Sequence, residues 1–290
     1  MSIQEQENSD RSWKGSLHSV WEDLGRRCAR LSEAWTLHRG LSDLAWSAEE
    51  TPNSRRGYCS TKGMMAFEAP RPVWLNAGPK NLVGGETGVL WQQPKVLMSA
   101  ARRSRGLWCV TSFVESDDMV ASQQFIGLWP KNGNALSLNA LAAVLNGPVA
   151  NAFMNEASSG KRLRLGDLKQ IPMPHGLDEA ALGHALAEYK GFSASARFDA
   201  AMEVRLRDAL LSIDAIVLMG YDLAPRNERL LLSSFAQHRR QVPFRFDGFY
   251  RGSVPALPLR DIIGGVLERN QWPKLAEAFK DVAPSDWEVM

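Results

Sequence analysis

The chain is expected to adopt an α+β fold, a strand-rich first part followed by a helical region. Three observations lead there. Between residues 36 and 135 the apolar pattern breaks into short runs separated by Pro, Gly and Asn, as in a sheet-rich domain with many loops. Past His175 apolar residues recur at helical spacing over long segments. Between 94 and 174, two cationic clusters bracket an apolar middle of strand-like and helix-like runs. The expected division is a flexible tail over 1–15, a strand-rich domain over 16–175 and a helical C-terminal region over 176–290. At 290 residues, 44% hydrophobic and 23% charged, the chain can bury a sizeable core and is not of disordered composition.

After the polar, acidic start, Leu17, Val20, Trp21, Leu24, Cys28, Leu31 and Trp35 fall on one face of an amphipathic helix, with Arg26, Arg27 and Arg30 toward its end. Strands are expected over 89–101, 107–114 and 120–129, and the run 102–106, Arg-Arg-Ser-Arg-Gly, is a hairpin-like connection whose side chains project from one edge. A helix follows over 138–154, with Leu138, Leu141, Ala142, Leu145, Val149 and Phe153 as its buried stripe and Gly147-Pro148 as a kink. Lys161, Arg162 and Arg164 then precede a helical turn and the stiff Ile171-Pro172-Met173-Pro174. Further helices are expected over 180–190, 196–219, 222–237, 258–269 and 273–282, with an ordered crossing link over 242–258.

The formal net charge is only +2, so a polyanionic partner must be argued from where the cations lie. Of the ten tryptophans most should be core, leaving one or two for contact surfaces. Cys28, Cys59 and Cys109 are far apart and odd in number, which supports neither a disulfide framework nor a zinc site and fits a reducing cytoplasm. No secretory leader pattern opens the chain, and no apolar run approaches the roughly 18 residues a membrane span needs.

Motifs for the commonest chemistries are missing. The sequence holds no GxxxxGK[ST], HExxH or GxSxG, and no strand followed by GxGxxG. Gly84-Gly85-Glu86-Thr87-Gly88 precedes a strand, where a turn is expected and a phosphate cradle is not. Asp178 with Glu188-Tyr189-Lys190 imitates a metal-dependent nuclease, but along a helix the two acids stand roughly 15 Å apart. His18, His38, His175, His184 and His238 are scattered without the spacing of a triad or metal box. No catalytic residue, metal or cofactor is expected.

The positive signal is the paired clusters. Lys95, Arg102, Arg103, Arg105, Lys161, Arg162 and Arg164, gathered on one part of a fold, would neutralise phosphates and form a footprint for double-stranded DNA. Arginine can also read guanine, and Gln or Asn adenine, from the major groove.

A family resemblance adds to this reading. Arg39-Gly40, then 93–98 (Gln-Pro-Lys-Val-Leu-Met), 122–128 (Ser-Gln-Gln-Phe-Ile-Gly-Leu), 138–147, the Arg-Leu-Arg-Leu-Gly-Asp-Leu run at 162–168 and Ile-Pro-Met-Pro at 171–174 follow in an order that resembles the target-recognition part of adenine-specific DNA methyltransferases. The fused type IIG restriction-modification enzymes and type I-like relatives are the nearest likeness. The helix carrying Ile213, Asp214, Val217, Tyr221 and Leu223 is similar to one that follows recognition domains there, and the likeness spans roughly 39–231. Such methyltransferases also carry a [DNS]PP[YFW] base-flipping motif and a glycine-rich S-adenosylmethionine site, whereas this sequence has no Pro-Pro pair. The resemblance therefore implies a non-catalytic, cytoplasmic specificity subunit of a restriction-modification or related antiphage defence system, directing a methyltransferase or nuclease on another chain. The alternative is a scaffold in such a complex that binds protein through an aromatic patch, Phe244, Phe246, Phe249 and Tyr250.

Overall fold

Apolar alternation along two strands decides the layering of the molecule. The computed structural model describes residues 17–42, 44–47, 49–52, 54–76, 91–131, 136–158, 160–194, 199–246, 248–249 and 258–260. Its elements are α1 (His18–Arg27), α2 (Leu31–Ala34), β1 (Trp35–Arg39), β2 (Ala45–Ser47), β3 (Ser54–Tyr58), β4 (Val73–Asn76), β5 (Lys95–Ser99), β6 (Ser112–Glu115), β7 (Val120–Ala121), β8 (Phe125–Pro130), α3 (Leu138–Asn146), α4 (Pro148–Ala157), α5 (Leu165–Leu168), α6 (Glu179–Ser193), α7 (Ala200–Tyr221) and α8 (Pro225–Ser233). The fold is α+β.

The first sheet runs β1-β8-β5-β6 and is antiparallel throughout; the second runs β2-β4-β3-β7, with β3 and β7 parallel. Every residue of β5 is buried, and all of β8 except Pro130. Successive side chains on a strand point to opposite faces, so these two strands serve two cores. Val96, Met98, Ile126 and Leu128 join a large cluster with the helices, while Leu97, Phe113, Phe125 and Trp129 join a smaller one with Tyr58, Leu75, Val120 and Ala121 of the second sheet. The layers are therefore helices, first sheet, second sheet.

The helix expected over 17–35 ends at Arg27. Cys28 is extended, and the chain then pairs with the Ile-Pro-Met-Pro segment: the Met173 amide donates to the Ala29 carbonyl at 2.8 Å and the Leu31 amide to that of Ile171 at 2.9 Å. Leu31 and Trp35 are buried as expected, but from α2 and β1, because this tertiary pairing overrides a helical apolar period. The helix expected over 138–154 is broken rather than kinked at Gly147, which is extended, and Pro148 starts α4 where its missing N–H costs nothing.

Both halves of that helix pair carry an asparagine toward the sheet. Asn146 Oδ1 accepts from the Ser112 amide and Nδ2 donates to the Ser112 carbonyl, each at 2.9 Å. Asn151 Oδ1 accepts from the Val110 amide at 2.7 Å. β6 is an edge strand, and the Asn146 amide satisfies backbone groups at its first residue, while Asn151 pairs with the connection just before it.

The helical region braces this assembly through one continuous core. Tyr221 of α7 donates to the Pro172 carbonyl at 2.8 Å, and buried Asp214 pairs with buried Arg240, whose guanidinium also donates to the Asn146 carbonyl at 2.8 Å and lies 4.2 Å from the Trp108 ring centroid. The large cluster draws on residues both before and after His175. Phe244, Phe246 and Phe249 belong to it, Phe246 and Phe249 packing on Trp108, so these three do not form an exposed aromatic patch. Tyr250, the tail over 1–15, the 84–88 turn and the helix expected over 273–282 lie outside the described residues, as does all but 258–260 of the one expected over 258–269.

Candidate nucleic-acid interface

Three segments distant in sequence meet where β5 ends. Ala101 bridges Arg162 in antiparallel register, the Arg102 amide donates to the Lys161 carbonyl and the Leu163 amide to that of Ala100, both at 3.0 Å. On the other side the Ala100 amide donates to the Gln124 carbonyl at 2.8 Å. Arg39, the last residue of β1, donates its guanidinium to the Leu163 carbonyl at 3.2 Å. The two basic runs, some sixty residues apart in sequence, are thus laced to each other and to the β7–β8 turn by backbone hydrogen bonds.

Leu163, buried between exposed neighbours, pins the second run to the core and turns Lys161, Arg162 and Arg164 outward. Those three are exposed, as is Arg105, and among the described residues none of the four is in an ion pair. Gln123 and Gln124 are exposed beside them. The result is a cationic rim with amide side chains at its margin, suited to phosphates and to the hydrogen-bonding edges of bases.

The other three expected DNA contacts are used inside the protein. Lys95 is wholly buried: β5 is an interior strand covered on both faces, and the ammonium donates to the carbonyls of Trp91, Gln93 and Asp117 at 2.9, 3.2 and 3.3 Å. Burial lowers its pKa, opposed by nearby Glu115, Asp118 and Asp117. Arg102 folds back, donating to the carbonyls of Ser158 at 2.7 Å and Gly106 at 3.2 Å and to the Asn155 side chain. Arg103 donates to Thr61 Oγ1 at 2.9 Å and the Met64 carbonyl at 3.1 Å, and desolvation lowers its pKa. Both staple the 100–111 connection down. The expected projection of that connection is corrected to Arg105.

Gln123, Gln124 and Arg39 were not among the expected contacts. A turn between two apolar strands marks the glutamines as exposed, but only the sheet order, with β8 between β1 and β5, sets them beside residues 161–164. Gly40 makes that approach possible, since a Cβ there would collide with the Ser122 carbonyl.

Several titratable groups elsewhere serve structure. Asp178 caps α6, accepting from the Ala181 amide at 2.9 Å, while Glu188 and Lys190 are exposed along the same helix. Glu115 accepts from the Tyr58 hydroxyl at 2.5 Å and the Asp117 amide at 2.8 Å. Burial pushes the Cys109 thiol up to about 11, which keeps it protonated and unreactive near neutrality. Among the described residues no cluster of three His, Cys, Asp or Glu side chains could hold a metal, and no helix is long and apolar enough to cross a membrane. Comparison with protein-family models and with curated proteins finds no match for the chain.

Proposed function

We propose that this chain is a DNA sequence-recognition subunit without a catalytic centre of its own, directing a methyltransferase or nuclease carried by another chain in a restriction-modification or related antiphage defence system. The observation that carries the DNA-binding part of the reading is the junction of the two basic runs. Lys161, Arg162 and Arg164 protrude from a segment laced to the end of β5, with Gln123 and Gln124 on the adjoining turn and Arg105 on the neighbouring connection. Phosphate contacts by the cations would fix register on the duplex, and the glutamines would reach base edges in a groove. The sequence resemblance supplies the defence context and the catalytic partner.

The test is duplex binding followed by fluorescence anisotropy across salt concentrations. Replacing Lys161, Arg162 and Arg164 together by Ala should weaken binding to all sequences and reduce the salt slope by about one for each phosphate that is no longer neutralised. Equal affinity and equal slope for wild type and variant would remove the rim from the account. Methyl transfer or cleavage by the isolated chain would overturn its non-catalytic assignment.

A further inference from the structure

Arg102 stands where the two basic runs join, and its side chain works inward. Its amide donates to the Lys161 carbonyl at 3.0 Å, and its guanidinium donates to the Ser158 carbonyl at 2.7 Å and to the Asn155 side chain. Ser158 caps the end of α4, where a cation suits the negative end of the helix dipole. One residue therefore holds the chain where it leaves α4 and again where the second run begins. The same guanidinium reaches the carbonyls of Gly106 at 3.2 Å and Ser104 at 3.5 Å, which fixes it to its own connection. None of these acceptors is a carboxylate, and among the described residues Arg102 is in no ion pair.

Between α4 and α5 the second run has no helix or strand of its own among the described residues, so its shape is set from outside. Leu163 anchors it in the core, the Ala101–Arg162 bridge fixes its register, and Arg102 holds its approach. A segment that must be ordered on binding weakens the complex by the cost of ordering it, whereas a segment already held does not. A guanidinium suits this task because its rigid planar fork serves several acceptors at once, which the compact ammonium of lysine on its flexible stem does not reproduce. We propose that Arg102 is a positioning residue for DNA contact. Without touching the duplex, it holds Lys161, Arg162 and Arg164 where all three meet phosphates, and Asn155 shares the role as its uncharged acceptor on α4. This role presupposes that the rim binds a duplex, as proposed above.

The test uses the full chain and a mixed-sequence duplex, with anisotropy over a salt series and hydrogen exchange of the free protein as readouts. Arg102→Lys keeps the charge and loses the fork. Its salt slope should match wild type, while its affinity should fall about tenfold at every salt concentration. Exchange in the free variant should quicken at 160–164 and stay unchanged in the middle of α7, a local loosening that general destabilisation would not produce. Asn155→Ala, which removes an acceptor and no charge, should lower affinity by about threefold with the same slope. Circular dichroism checks that each variant is folded, and Asn155→Ala carries the test where Arg102→Lys is not. Wild-type affinity in a folded Arg102→Lys chain, or in Asn155→Ala, would overturn the role. So would affinity kept by Arg102→Lys but lost by Arg102→Gln with a slope lower by about one, which would make Arg102 a phosphate contact. Absence of duplex binding by wild type would remove the proposed function and this role with it; binding that the rim triple variant loses and Arg102→Lys keeps would remove this role alone.

Discussion

Three cations of the expected footprint turn inward, and the reason lies in what surrounds each residue. A lysine opening an apolar run can extend its ammonium to water or return it to backbone carbonyls. Lys95 does the second, because the strand it opens is covered on both faces and the carbonyls of Trp91, Gln93 and Asp117 converge on it. Replacing it by Met should leave those carbonyls without their donor and cost about 1–3 kcal/mol in urea unfolding, while the folded variant keeps the wild-type salt slope for duplex DNA. A full-strength fold with a reduced slope would return Lys95 to the interface. Arg102 and Arg103 are likewise consumed by local acceptors, whereas Arg105, a few residues on, is exposed. One-dimensional charge clustering located the segment; which member of the cluster faces solvent depended on contacts with Ser158, Asn155, Thr61 and Met64.

Among the elements, patterns settled by local chemistry were legible and those settled by distant pairing were not. The helix over 180–190 is α6, extended to Glu179–Ser193, and the one over 196–219 corresponds to α7 from Ala200, both starting at aspartate caps. Strands at 95–99, 112–115 and 125–130 lie within or beside the expected runs. The stripe over 17–35 misled because Ala29, Arg30 and Leu31 pair with 171–173, a partner that no local window contains. The pairing of sixty-residue-distant basic runs was hidden for the same reason. Gly40 shows how a single residue permits such an approach. Gly40→Ala should drive a methyl group into the Ser122 carbonyl, lower stability by about 1–3 kcal/mol and displace the turn bearing Gln123 and Gln124, so duplex affinity should fall with it. Gly166, with open space around its Cβ position, is the control: Gly166→Ala should cause no loss of stability by calorimetry. Equal behaviour of the two variants would mean that the close approach at Gly40 carries no weight.

Across the whole molecule, the helices and the first sheet share one core, so the change of pattern at His175 separates kinds of secondary structure while the packing runs through it. Arg240 illustrates the bracing, joining Asp214 of α7, the carbonyl at the end of α3 and the Trp108 ring in the connection between β5 and β6. That connection is the one whose first residues bond to 161, so the helical region supports the rim from behind. On the proposed function, the two basic runs and the β7–β8 turn act as one surface on DNA. Hydrogen exchange of the full chain with and without duplex DNA measures it most directly. Slowed exchange should arise together at 102–106, 123–124 and 160–164 when duplex is added, and not at 54–58 or 73–76 of the second sheet. Protection confined to one of the basic runs, or found on the second sheet with the rim unchanged, would contradict the claim.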